Sequence, residues 1–142
     1  MAYDAIIHGA KGILYWGVSY TPQPSQFWSD LKSVTKELGE LHDVLAAPPL
    51  DLTIDIRYHE LGHSVDAGVA IVAKALKDEI YLLTANDDRN PVKVTFTLPQ
   101  RYDGTADVMG ENRRVPVKAG SFTDSYKPFE IHNYRISIGA DR

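Results

Sequence analysis

The feature that most constrains the fold is a change of hydrophobic periodicity at Ala46-Ala47-Pro48-Pro49. Before this point, apolar residues recur at every third or fourth position, which is typical of amphipathic helices; after it, they alternate with polar residues, which is typical of half-buried strands. Two consecutive prolines cannot continue a helix and favour an extended linker. We therefore divide the chain into a terminal β/α unit over residues 1–47 and a β-sandwich over residues 48–142.

The part after the boundary contains about eight short segments with strand character, separated by turn-forming residues. Leu52–Tyr58 and Val92–Leu98 alternate strictly, whereas Val69–Leu76 and Glu79–Thr84 are more continuously apolar, as central strands are. The parity of the pattern shifts in the final run from Phe129 to Ile138, which indicates a bulge. The pattern as a whole predicts a mostly β fold, an antiparallel β-sandwich preceded by a helical β/α segment.

Residues 1–47 predict a helix, a buried strand, a loop and a second helix. The first helix covers Ala2–His8, and the apolar run Gly12–Gly17 has the composition of a strand that is buried on both faces in a parallel sheet. Ser25 is a suitable N-cap for a helix over Phe27–Leu45, whose apolar residues fall on one stripe. The order of these elements is that of an α/β protein.

The predicted strand and helices of residues 1–47 cannot bury their apolar surfaces alone. A parallel strand needs neighbours on both sides, and a crossover helix needs a sheet to cover. We therefore expect the chain to be the end of a longer α/β protein. Without the rest of that protein, the apolar surface of residues 12–45 needs another cover, either in a homo-oligomer or by folding of the helix onto the sandwich.

The composition excludes several classes of function. The chain has 142 residues, with 15 Lys and Arg against 19 Asp and Glu, and this mild acidity argues against nucleic acid as a partner. The sequence has no Cys, which excludes disulfides, thiol nucleophiles and iron–sulfur clusters. No apolar run reaches the roughly 18 residues of a membrane span, and no secretory leader is visible. The compartment stays open, and no membrane partner is expected.

Two parts of the sequence together resemble a known family. Ala2–Trp16, followed by a polar loop and the helix over Phe27–Leu45, resembles the last β/α unit of a (β/α)8-barrel glycoside hydrolase of the retaining kind. The remainder, with Ile80–Asn86, Val92–Leu98 and Phe129–Arg135, resembles the small β-sandwich that often follows these barrels. The resemblance implies a C-terminal fragment or accessory domain of a glycoside hydrolase, structural in role, with carbohydrate as its partner in the full-length context and without a cofactor.

The resemblance implies one substrate-binding residue and no catalytic residue. Trp16 matches the aromatic at the end of the last barrel strand, where it would stack on the sugar in a full-length barrel. The alternative for Trp16 is a barrel-core or interface aromatic. The family's two catalytic carboxylates stand on earlier strands that this sequence lacks, and retaining hydrolysis needs carboxyl groups about 5–5.5 Å apart. The chain alone is therefore predicted to be inactive.

A competing motif is His59-Glu60-Leu61-Gly62-His63, which matches the H-E-x-x-H pattern of zinc peptidases. In that alternative, His59 and His63 bind zinc from one helical turn and Glu60 is the base that activates water. The preceding residues alternate with strand period, and the extended pattern with a third His fails. We therefore favour a polar loop between two strands and predict no metal site.

A further alternative is a carbohydrate-binding or interaction module. Four aromatic residues are candidates for a sugar platform, although core and edge packing is the favoured interpretation for them. Asn86-Asp87-Asp88 is interpreted as a turn rather than a Ca²⁺ site, and Arg113-Arg114 as a basic pair that faces solvent. The four aromatics are Tyr102, Phe122, Tyr126 and Phe129.

Overall fold

The structure is a computed structural model that describes residues 1–16, 18–60 and 68–137. Its helical elements are α1 (Ala2–Ile7), a 3-10 helix (Val18–Tyr20), α2 (Gln26–Glu40) and α3 (His42–Ala46). All of them precede the first strand. Among the helices of the described ranges, none is both long enough and apolar enough to cross a bilayer.

In the described ranges, eight strands follow the helices and form two antiparallel sheets. One sheet has three strands in the order β1-β4-β7, and the other has five in the order β2-β3-β8-β5-β6. The predicted fold class, a mostly β antiparallel sandwich of about eight strands, is confirmed. The strands are β1 (Asp55–Tyr58), β2 (Val69–Leu76), β3 (Glu79–Asn86), β4 (Val92–Thr97), β5 (Gly104–Val108), β6 (Arg113–Val117), β7 (Ser121–Tyr126) and β8 (Ile131–Ser137).

The hydrophobic core lies between the two sheets. Because side chains alternate along a strand, each strand sends every second residue into this space. Phe96 of β4 lies at its centre, with its ring centroid 5.1 Å from that of Phe122 and 6.0 Å from that of Tyr134. Leu82 and Ile136 of the five-stranded sheet are fully buried in the same cluster. The two sheets thus share one continuous core.

The helical elements pack on the outer face of the five-stranded sheet rather than in the core. α1 contacts β2 and β3, α3 contacts β2, and α2 packs on α3. Within the described part of these elements, Tyr3, Leu41 and Val44 are the buried hydrophobic residues. The hydroxyl of Tyr3 donates a hydrogen bond of 2.5 Å to Oε1 of Glu37 and so connects α1 to α2.

The predicted strand at Gly12–Gly17 is wrong. Residues 12–16 are not in a strand, and Leu14 and Trp16 are 89% and 92% exposed. A buried parallel strand requires hydrogen-bonded neighbours on both sides, and no strand of the described ranges pairs with this segment. Gly17 itself lies outside the described residues.

The predicted helix over Phe27–Leu45 is present but divided. α2 ends at Glu40, and Leu41 serves as the N-cap of α3. Ser25 occupies the predicted N-cap of α2, but its hydroxyl makes no capping hydrogen bond and is buried without a partner. No residue of α2 is fully buried, so its apolar stripe is only partly covered. Self-association through residues 12–45 and the division of the chain after residue 47 stay predictions.

The predicted bulge in the last strand is also wrong. β8 pairs with β3 without interruption from Ile131 opposite Ala85 to Ser137 opposite Glu79. The shift of parity has a different cause. β8 is an inner strand with the sandwich core on one face, and on the other face Asn133 is also buried. Polar and apolar residues therefore both occur at buried positions of this strand.

Candidate functional site: a polar network between the sheets

At one end of the sandwich, the inward-facing positions are polar instead of apolar. The inward positions of β7 are occupied by Phe122, Asp124 and Tyr126, so a carboxylate follows a phenyl ring on this face. On β8 the corresponding series begins at His132, which is buried, and reaches the apolar core two residues later. Together with side chains of β3 and β6, these residues form a connected set that joins both sheets. The polar network consists of Thr84, Arg113, Asp124, Tyr126, His132 and Tyr134.

A chain of hydroxyl groups runs through the buried part of the polar network. Thr84 Oγ1 donates a 2.6 Å hydrogen bond to the backbone oxygen of His132 and lies 2.6 Å from the hydroxyl of Tyr126. The Tyr126 hydroxyl lies 2.8 Å from that of Tyr134, which donates a 2.7 Å hydrogen bond to Asp124 Oδ2. Each hydroxyl has a partner, so these groups do not carry the cost of an unsatisfied buried polar atom.

Asp124 is the centre of charge in the polar network. Its carboxylate accepts hydrogen bonds from Arg113 Nη2 at 2.8 Å and from the Ser125 amide at 2.9 Å, and it lies 3.1 Å from His132 Nδ1. Burial raises the pKa of Asp124, but the hydrogen bonds from His132, Arg113, Tyr134 and Ser125 outweigh it, so the pKa lies well below its ordinary value. The carboxylate is therefore held in its charged form.

The outer rim of the polar network is made of two further carboxylates. Glu111 accepts a 2.6 Å hydrogen bond from Arg113 Nε, and its other oxygen lies 3.4 Å from Nε2 of His132. Glu130 Oε2 lies 3.6 Å from the same nitrogen, and the His132 ring stacks on Tyr126 with centroids 4.3 Å apart. Both ring nitrogens of His132 thus face protein groups, which suits an orienting role rather than attack on a substrate.

Sequence reasoning missed the polar network because it judged its members singly. Arg113 and Arg114 were expected to face solvent together, but adjacent residues of a strand point to opposite faces. Arg114 is exposed, with Nε 2.7 Å from Asp107 Oδ1, whereas Arg113 turns inward to Asp124. The signal was in the sequence, since Asp124 occupies an inward position of an alternating strand and needs a cationic partner there.

The motif His59-Glu60 does not stand on a helix. It directly follows β1, where the His59 amide donates to the oxygen of Lys93 and His59 Nε2 lies 2.8 Å from Thr95 Oγ1. Glu60 Oε2 accepts a 2.9 Å hydrogen bond from the Lys93 amide. These contacts extend the pairing of β1 with β4, which is the loop-and-strand setting that the alternation predicts. His63 lies outside the described residues.

The other predicted aromatic residues separate by burial. Trp16 is on the exposed segment after α1, and its stacking role, which concerned a full-length barrel, stays a prediction. Phe122 and Tyr126 are buried in the core, whereas Phe129 is 68% exposed. Tyr102 is partly buried and packs against the core cluster. These positions do not bring the four candidates together on one surface, as a sugar platform would require.

One group of side chains in the described ranges has metal-ligand character. Asp4 of α1 and His8, the C-cap of α1, meet Asp87 of the β3–β4 turn, with one ligand atom from each lying within 4.8 Å of the others. Burial and the charge of Asp4 raise the pKa of Asp87. A carboxylate–imidazole set of this kind suits a divalent ion such as Zn²⁺ or Mn²⁺. The neighbouring Asn86 and Asp88 side chains bond within the turn, as the turn interpretation predicts.

Comparison with known proteins gives two relatives and no matching family model. The chain is 28% identical over 95 residues to a DNA polymerase sliding clamp of Methanococcus vannielii, which covers 58% of this chain and 38% of the clamp. It is 27% identical over 95 residues to a DNA polymerase sliding clamp of Methanococcus maripaludis, with the same shares. The chain therefore spans less than half the length of the curated relatives it matches.

These matches correct the predicted function and partners. Both relatives are named for DNA and DNA polymerase, so the prediction of a glycoside hydrolase fragment with a carbohydrate partner is wrong. The expectation that excluded nucleic acid is wrong for the same reason. Neither relative is named as a carbohydrate-binding module or a zinc peptidase. The resemblance of residues 2–16 to barrel glycoside hydrolases is not itself tested by these matches, although the strand that it implies over residues 12–16 is not formed.

Proposed function

We propose that this chain is a non-catalytic component of a DNA polymerase sliding clamp, with a DNA polymerase as its protein partner. The observation that carries the proposal is the match of 58% of the chain to two DNA polymerase sliding clamps. Because the chain covers only 38% of each clamp, the proposal concerns a contribution to such an assembly and not the full activity of a clamp.

The polar network supports a role without chemistry of its own. Catalysis would need a nucleophile or base with a free position for substrate. In the polar network, the oxygens of Asp124 are engaged by an arginine, a tyrosine and an amide, and His132 lies among protein groups. Such an arrangement connects the two sheets through side-chain contacts, which suits a structural role.

The distribution of charge favours the polymerase over bare DNA as the direct partner. Affinity for duplex DNA comes mainly from Lys and Arg that neutralise phosphates. This chain carries an excess of acidic residues, and Arg113, Arg114 and Arg135 are each paired with a carboxylate. We therefore propose that the chain reaches DNA through the polymerase complex.

The test is binding of the full chain, immobilised on a surface, to the DNA polymerase of Methanococcus vannielii. The clamp of that organism is the positive control, and an unrelated β-sandwich protein of similar net charge is the negative control. We expect saturable retention that soluble clamp displaces. If the clamp retains the polymerase but this chain retains none of it at a polymerase concentration of about 0.1 mM, the proposal is wrong.

A second arm measures the direct contact with DNA. The chain alone should bind duplex DNA more weakly than about 0.1 mM at physiological salt, because it carries more acidic than basic residues. If the chain binds duplex DNA tightly and the affinity falls steeply with salt, the chain contacts the phosphates directly. That result would contradict the proposal that it reaches DNA only through the polymerase.

A further inference from the structure

A second candidate site lies on the opposite side of the five-stranded sheet from the polar network. It is a cleft of about 530 Å³ between α1, the segment that follows it, α2, α3 and the outer face of β2. We call it the helical cleft. Its volume is within the range of small-molecule sites, about 300–1,000 Å³. Aliphatic side chains from α1, α2, α3 and β2 form much of its wall, among them Ile6, Ile7, Leu38, Leu45 and Val72.

Two lysines line the helical cleft beside this apolar wall. Lys74 projects from β2 and is only 5% exposed, which is unusual for a lysine. Its Nζ donates to the backbone oxygens of Leu45 at 2.9 Å and Ala47 at 2.5 Å. These two acceptors leave the third N–H of the ammonium for a further partner, since a lysine has three donors. Lys11 lines the same cleft from the segment after α1.

The positive charge of the helical cleft is not neutralised. No carboxylate of the described ranges forms an ion pair with Lys74 or Lys11. Burial lowers the pKa of Lys74, and the nearby charge of Lys11 lowers it further. A buried charge without a counter-charge is costly, so an anion that entered the cleft would be favoured by both lysines.

We propose that the helical cleft binds an aliphatic carboxylate, with its carboxylate between Lys74 and Lys11 and its tail along Ile6, Leu38 and Leu45. The apolar wall supplies burial for the tail at roughly 25 cal/mol per Å². The two lysines supply charge-assisted hydrogen bonds for the head group. The site is independent of the proposed function, since it uses residues of the helical elements and one strand face.

The test is titration of the full chain with decanoate by calorimetry, with decylammonium as a probe of equal chain length and opposite charge. We expect decanoate to bind with a stoichiometry of one and decylammonium to bind at least about tenfold more weakly. Equal affinity for the two probes, or no heat from decanoate up to about 1 mM, would overturn the proposal.

Three lysine variants test whether decanoate binds in the helical cleft. Lys11→Gln, an exposed change, should weaken decanoate binding several-fold, and Lys32→Gln on α2, outside the cleft, should leave it unchanged. Lys74→Met should abolish binding in protein that retains its circular dichroism spectrum.

Methyl resonances provide a readout that does not depend on the lysine variants. Those of Ile6 and Leu38 should shift with decanoate, and those of Val94, in the sandwich core, should not. Shifts confined to residues outside the helical cleft, or equal affinity of Lys11→Gln and the unchanged protein, would contradict the assignment.

Discussion

The sandwich and the helical elements bury their apolar residues to very different extents. Between the sheets, Leu82, Phe96 and Tyr134 are completely inaccessible to solvent. Among the helical elements, α2 has no buried residue although its apolar residues lie on one stripe. The comparison shows that a correct hydrophobic pattern produces a core only where the same chain supplies a second surface. The sandwich has such a surface, and much of α2 does not.

The largest expected effect tests the core of the sandwich. Phe96→Ala removes a ring that packs against Phe122, Tyr126 and Tyr134, and we expect it to lower the free energy of unfolding by about 3–5 kcal/mol. The matched change on α2, Phe27→Ala, removes a partly exposed ring and should cost less than about 1 kcal/mol. Urea unfolding followed by circular dichroism measures both. Equal losses would break the comparison between the two regions.

The next effect concerns the charge at the polar end of the sandwich. Asp124→Asn leaves Arg113 and His132 without their shared carboxylate, and we expect a loss of about 3 kcal/mol because a partly buried charge pair is broken. Asp55→Asn on the exposed edge of β1 is the control and should change stability by less than about 0.5 kcal/mol. A small effect of Asp124→Asn would show that the polar network contributes little to the joint between the sheets.

The Asp124 carboxylate also makes the stability of the wild-type protein depend on pH in the acidic range. The pKa of Asp124 is lowered in the folded state, so its stabilisation is fully present above the unfolded value of about 3.9. It is lost as the pH falls from there through the lower folded pKa, because the unfolded state binds the proton first. Urea midpoints from neutral pH downward should therefore decline in this acidic window. The decline should be shallower in Asp124→Asn, and an identical slope in both proteins would contradict the assignment.

A smaller effect tests how α2 is held. Tyr3→Phe removes the hydrogen bond to Glu37, and we expect a loss of about 1 kcal/mol. Amide exchange should accelerate in α2 and stay unchanged in β4, because the bond joins α1 to α2 and not to the core. Accelerated exchange in β4 would show that the helical elements and the sandwich unfold as one unit.

The smallest effect is expected at the most exposed aromatic side chain of the described ranges. Trp16→Ala should change the midpoint of thermal unfolding by no more than corresponds to about 0.5 kcal/mol, because Trp16 is 92% exposed. Concentration-dependent light scattering on the same pair of proteins tests self-association through residues 12–45. A large loss of stability in the variant, at concentrations where the protein associates, would place Trp16 in an interface between copies.

The sandwich was more predictable from sequence than the helical region or the site. β2 was predicted at its observed bounds, because Val69–Leu76 is apolar on both faces and flanked by turn residues. The segment Gly12–Gly17 was mistaken for a strand because its composition describes burial, and burial depends on neighbours that sequence alone does not provide. The polar network was missed because Asp124 and Arg113 are distant in sequence and become partners only through the positions of β6 and β7.

The uneven lining of the sandwich interior has a mechanical consequence. The apolar contacts around Phe96 should weaken with heat and denaturant, whereas the ionic contacts around Asp124 should weaken as the pH falls. Which of these two sets of contacts weakens first therefore depends on the solvent conditions and not on the order of the strands.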